Sequence, residues 1–160
     1  MRVLGIDPGS HRLGLALVTF EGQKLKLLWH ETFIPRASGR GRYKFIAGRV
    51  DSILKTESVD LVAIEKVFVG RIRNTAVQTG ECRGAIFTVL PHELPLVEVF
   101  PSSVKKAACG NGRADKKEVR RGLEALFRRE IKGFDDGVDA AAIALCGEAM
   151  WRAAGLSKRA

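Results

Sequence analysis

Apolar positions change their period several times along the chain, and each change marks an element. Val3 to Ile6 is a short apolar run stopped at Asp7-Pro8-Gly9, the pattern of a strand ending in a turn. Leu13 to Phe20 is apolar and β-branched until Glu21-Gly22 turns the chain, and Leu25 to Ile34 resumes in the same style. Connections this short predict an antiparallel meander. From Gly41 to Thr56 the residues Tyr43, Ile46, Val50, Ile53 and Leu54 fall three and four apart, which predicts an amphipathic helix. Val59 to Ile64 returns to strand character, with Glu65 at its end.

The second half alternates in the same way. Asn74 to Leu90 reads as a helix closed by Pro91, Leu94 to Phe100 as a strand, and Pro101-Ser102 as the opening of a short helix. After a Gly110-Asn111-Gly112 loop, Asp115 and Glu118 form a capping-box-like start to a basic helix running to Arg129. Alanine-rich Asp136 to Trp151 is the last helix. In the Asn74–Leu90 helix, Ala76, Gly80 and Gly84 make a smooth stripe, expected to pack closely on a sheet, with a helix–helix subunit contact as the alternative. A meander extended by strand–helix–strand units predicts a single α/β domain over residues 1–152, a mixed sheet flanked by helices, with a basic C-terminal tail at 153–160.

Composition narrows the function. In 160 residues, 46% are hydrophobic, enough for one buried core, and there are no repeats or linkers to divide it. No apolar run approaches the roughly 20 residues that span a bilayer, and Asp7-Pro8-Gly9 breaks the one stretch that could open a signal peptide. Cys82, Cys109 and Cys146 are too scattered for a disulfide framework or a zinc knuckle and read as buried thiols in a reducing cytoplasm. The net charge of +9 favours a polyanionic partner, and the excess is concentrated: Pro101 to Lys132 holds ten basic residues against four acidic.

Among the acids, Asp7 and Glu65 each end a strand, and Asp136 and Asp139 share one face of the last helix. Strand ends side by side beneath a helix N-terminus would gather all four. Two carboxylates about 5 Å apart repel by roughly 3 kcal/mol at an effective dielectric near 20, so such a group either takes up protons or binds a cation. Oxygen ligands select a hard ion, Mg²⁺ or Mn²⁺, and two such ions suit phosphodiester displacement. Taken singly each acid has another use: Asp7 in a turn, Glu65 paired with Lys66 or an arginine, Asp136 as the cap of its own helix. Asp139, inside the apolar run Val138–Ala142, is harder to place otherwise. No HExxH, GxSxG, GxGxxG or Walker pattern competes.

With these residues in hand, the chain resembles the RuvC family of bacterial Holliday-junction resolvases, which have a ribonuclease H-like fold. The resemblance spans roughly residues 2 to 150. It is carried by Leu4-Gly5-Ile6-Asp7-Pro8-Gly9-Ser10, Ala63-Ile64-Glu65-Lys66-Val67-Phe68, Gly80-Glu81-Cys82-Arg83-Gly84-Ala85, Ser103-Val104-Lys105-Lys106, Gly110-Asn111-Gly112-Arg113-Ala114-Asp115-Lys116 and Asp136-Gly137-Val138-Asp139-Ala140, all in order. It implies a five-stranded mixed sheet, with Asp7, Glu65, Asp136 and Asp139 as metal-binding catalytic acids. Lys105 and Lys116 match active-site lysines, and Phe68 matches an aromatic that stacks on bases at the opened crossover. Arg71, Arg73, Lys106, Arg113 and Lys117 are further candidate DNA contacts.

The activity implied is that of a Mg²⁺-dependent endodeoxyribonuclease, with Mn²⁺ as substitute and two ions per site. It would nick four-way DNA junctions symmetrically and leave 5′-phosphate and 3′-hydroxyl ends. A C₂ homodimer, RuvA–RuvB as partners and a cytoplasmic location are implied with it. Two departures stand out: Lys66 replaces the glutamine that often follows the glutamate, and Gly137-Val138 replaces Ala-Ala. The 71–79 stretch is only loosely family-like, so no cleavage-sequence preference transfers. The competing readings are a YqgF-type ribonuclease H-like nuclease acting on RNA and a junction-binding module without catalysis. An actin-like kinase needs two domains, for which the chain has no room.

Overall fold

The computed structural model describes residues 1–22, 24–67 and 73–155, with side chains in the last segment from residue 76 onward. Its elements run β1 (Arg2–Asp7), β2 (Leu13–Glu21), β3 (Lys24–Phe33), α1 (Gly41–Thr56), β4 (Leu61–Glu65), α2 (Arg73–Phe87), β5 (Leu96–Val99), α3 (Pro101–Cys109), α4 (Lys116–Phe127) and α5 (Asp135–Ala153). The sheet order is β3-β2-β1-β4-β5. The β1–β2 and β2–β3 pairs are antiparallel, whereas β4 runs parallel to both β1 and β5. The expected meander and its parallel extension are both present. The boundaries agree within two residues except at α2, which stops at Phe87 rather than Leu90, and β5 is shorter at both ends than the apolar run that announced it. Among the described residues no helix is long and apolar enough to cross a membrane.

Alternation along the strands sorts the core into two layers. Val3, Ala16, Val18, Leu61, Ala63 and Val99 face α3, α4 and α5. Leu4, Ile6, Leu15, Leu17, Val62 and Ile64 face α1, with Cys82 and Ile86 of α2. The same arithmetic aims the strand ends. Asp7 follows Val3 and Gly5 by twos, and Glu65 follows Leu61 and Ala63, so both acids emerge on the α5 side. They are neighbours, because Gly5 pairs with Ala63 and Ile6 with Ile64.

α5 comes down onto those strands without a gap. A Cβ on Gly5 would lie 1.9 Å from the Ala140 carbonyl oxygen, and one on Gly14 would lie 2.0 Å from that of Asp136. Only glycine permits backbone-to-backbone approach this close. Gly14 pairs with Asp7 across β1 and β2, so the close approach seats the first turn of α5 over Asp7.

The Ala76/Gly80/Gly84 stripe does not pack on the sheet, as the small-residue pattern led us to expect. Among the described residues nothing lies within 4 Å of a Cβ placed on Gly80 or Gly84, and Val77 beside them is 61% exposed. The inner face of α2 is instead Cys82, Arg83 and Ile86. A buried arginine among apolar residues disguised which face was which.

Candidate active site

Asp7, Glu65, Lys105, Lys116 and Asp139 line one cavity of about 160 Å³, floored by Val104, Val119 and Ile143. Asp7 comes from the end of β1, Glu65 from the end of β4, and Asp139 from the second turn of α5. Pro101 at the first position of α3 starts the helix that brings Lys105 to the rim. Lys116 is set by the expected capping box: Asp115 Oδ1 accepts from the Glu118 amide at 2.9 Å, and Glu118 Oε2 accepts from the Asp115 amide at 2.8 Å. That box makes Lys116 the first residue of α4. A cation at a helix N-terminus opposes the macrodipole. Here it is balanced by Asp139 at 3.8 Å and Asp135 at 3.7 Å.

The electrostatics of the cavity are those of crowded, dehydrated acids. Burial, then Glu65, Asp139 and Asp136, push the Asp7 carboxyl up to about 8, with Lys116 opposing. Burial and then Asp139 raise Glu65, against Lys105 and Arg83. Burial raises Asp139 too, against Lys116. All three therefore gain from a positive charge placed among them, and their donor atoms are oxygens throughout. That donor set fits a hard divalent cation.

Asp136 stands apart from the cavity lining. It does not cap α5, contrary to its bland sequence reading: the residue before the helix is Phe134, and the Gly137 amide donates to Thr32 Oγ1 of β3 at 3.1 Å. Asp136 Oδ2 instead lies 3.9 Å from Arg12 Nη1, and the Arg12 guanidinium sits 5.1 Å from the exposed Phe134 ring. Among the described residues no three acids, histidines or cysteines close into a compact ligand set.

Glu65 forms no pair with Lys66, whose ammonium lies 4.6 Å from the Phe100 ring centroid. Lys106, Arg113 and Lys117 are exposed on α3, the following loop and α4. Phe68 and Arg71 lie outside the described residues, as does the side chain of Arg73. Sequence reasoning missed Asp135, whose carboxyl is held below its ordinary range by the Arg120 hydrogen bond at 2.8 Å and by Lys116. Its place in an Asp-Asp doublet was the available signal. Arg12 and Arg83 were missed as well, and a lone arginine in a basic chain carries no such signal.

Acids on adjacent central strand ends, met by acids on a helix crossing them, define a nuclease of the ribonuclease H-like class. Comparison with known proteins narrows this. The family model for crossover junction endodeoxyribonuclease RuvC matches residues 3–147, and the chain belongs to that family. A RuvC of Halorhodospira halophila is 37% identical over 148 residues, covering 91% of this chain and 88% of that protein. A Thermus thermophilus RuvC in complex with Holliday junction substrate superposes with a TM-score of 0.86 at 31% identity, covering 96% of each chain. The yeast mitochondrial Holliday junction resolvase shares the fold at 11% identity, with a TM-score of 0.68 over 95% of this chain and 79% of that one.

Proposed function

We propose that this chain resolves four-way DNA junctions by paired, symmetric nicks, using Mg²⁺, with Mn²⁺ as substitute, at two ions per site. The observation that carries the reading is the single cavity shared by Asp7, Glu65, Asp139, Lys105 and Lys116. Asp7, Glu65 and Asp139 would hold the metal, with Asp136 joining them by releasing Arg12. When bound, the metal supplies an activated nucleophile and stabilises charge on the leaving oxygen. Asp7, between Glu65 and the first turn of α5, sets where the scissile phosphate must sit. Lys105 and Lys116 contribute ammonium charges at the rim, suited to the developing negative charge on phosphate oxygens. The products are 5′-phosphate and 3′-hydroxyl ends.

Lys106, Arg113 and Lys117 extend the positive surface from that rim and would hold the arms through phosphates. Phe68, with Arg71 and Arg73, is proposed to stack on bases at the crossover. Symmetric nicking requires two sites related by a two-fold axis, hence a homodimer, with the outward stripe of α2 as its contact. RuvA–RuvB are the proposed partners, and the cytoplasm the proposed location.

The test is a labelled mobile four-way junction set against matching linear duplex, in Mg²⁺ and in EDTA. Paired nicks confined to the junction and requiring Mg²⁺ are expected. Asp7→Asn should abolish nicking and leave junction binding intact, and normal nicking by that variant would remove Asp7 from the site. Efficient competition by structured RNA, with cutting of that RNA, would move the protein to the RNA-processing alternative.

A further inference from the structure

We infer that Arg83 is a positioning residue for Glu65, holding the catalytic end of β4 from the opposite face of the sheet. The inference rests on the reading of Glu65 as a metal ligand. Arg83 is only 7% exposed, although it is a permanent cation. A buried guanidinium is strongly destabilising unless its donors are satisfied. Its satisfaction is specific. Nη1 donates to the main-chain carbonyl of Glu65, Nη2 donates to the Glu98 carboxylate, and the group lies over the Phe87 ring, 5.1 Å from its centroid.

The location explains the use. Glu65 is the last residue of β4, where its ladder with β5 ends at Val99. A residue at a strand end has lost half of what fixes a strand interior, and this one carries a carboxylate repelled by Asp139. Arg83 takes the Glu65 carbonyl there and ties it to Glu98 of β5. Alternation puts Glu98 on the α2 side, since Val97 and Val99 pack toward α5. The Glu65 backbone is thus clamped from one face while its carboxylate works on the other.

The same helix reaches the other catalytic strand. Cys82 Sγ lies 3.7 Å from the Gly9 carbonyl, and Ser10 Oγ donates to Gln78 Oε1 at 3.3 Å, both in the turn that follows Asp7. α2 therefore braces both strand ends.

The experiment compares Arg83→Met, Arg83→Lys, Glu98→Gln and Glu65→Gln by Mn²⁺ binding to the DNA-free protein, read by electron paramagnetic resonance. The metal midpoint of junction nicking and junction affinity in EDTA are measured alongside. Arg83→Met should weaken Mn²⁺ binding and raise the midpoint by about tenfold, the usual effect of removing an outer partner of a metal ligand. Arg83→Lys should fall between it and wild type, junction affinity should hold, and excess Mn²⁺ should restore nicking. If Arg83 only glues α2 to the sheet, thermal stability falls while Mn²⁺ affinity stays at the wild-type value, and the inference is overturned. Should Arg83→Met fail to fold, unchanged Mn²⁺ affinity in both Arg83→Lys and Glu98→Gln overturns it equally. Normal Mn²⁺ binding and nicking by Glu65→Gln would instead sink the ligand reading itself, and the inference with it.

Discussion

Asp7 is a carboxylic acid in surroundings that disfavour its ionised form. It has lost water to the first turn of α5, and three other acids face it, so its carboxyl is pushed from 3.8 up to about 8. Proton linkage turns that into a stability profile. Between those two values the folded metal-free protein holds a proton that the unfolded chain has released. Stability therefore falls as pH rises through this window. The raised Glu65 and Asp139 act in the same direction. In EDTA, the melting temperature should decline from pH 5 to pH 8, and Asp7→Asn, which cannot ionise, should flatten the decline. Added Mn²⁺ should stabilise wild type increasingly toward the alkaline end, because it binds the deprotonated acids. Parallel melting curves for wild type and Asp7→Asn across that range would show that Asp7 is not the crowded group described here.

At the scale of elements, the site depends on how closely α5 sits on β1 and β2. Gly5 and Gly14 have different Cβ problems with the same cause, a carbonyl of α5 about where a side chain would be. Gly5→Ala should push α5 off the sheet, costing about 3 kcal/mol or more, or roughly 10 °C in a chain of this size. It should also weaken Mn²⁺ binding, since Asp139 precedes the Ala140 it strikes. Gly80→Ala, with none of the described residues above it, should instead be neutral or gain about 1 kcal/mol of helix propensity. Thermal melts of the two variants make the comparison directly.

This contrast also marks what could be read in the chain. Apolar runs, periodicity and capping signals located every strand and helix, and α1 at its exact bounds, because α1 shows one apolar face while the central strands are apolar on both. The strand-end acids followed from that reading, since alternation and register place Asp7 beside Glu65. Close approach left no pattern: a glycine under a helix and a glycine facing solvent are the same letter. The inner role of Arg83 was hidden for a related reason, because buried charge runs against the rule that finds cores. The pairing of Asp136 with Arg12, outside the cavity lining, could not be read locally, and neither could the capping of this turn from another strand by Thr32.

For the whole molecule, the open stripe of α2 and the brace on its inner face belong together. One face of the helix holds the ends of β1 and β4 through Gln78, Cys82 and Arg83, and the other presents Gly80, Gly84 and the exposed Val77. A second copy packed on that outer face would stand two layers from each active site, with α2 between. Small residues allow two such helices to approach closely, and a bulky one would hold them apart. Gly84→Leu should therefore leave the fold and its melting profile in EDTA intact, because none of the described residues lies over that position. It should shift the sedimenting species from dimer to monomer at micromolar concentration and convert paired nicks on a mobile junction to unpaired, slower ones. A Gly84→Leu protein that sediments as wild type and still cuts both strands together would place the two-fold contact elsewhere. The outer stripe of α2 would then be only an exposed helix face.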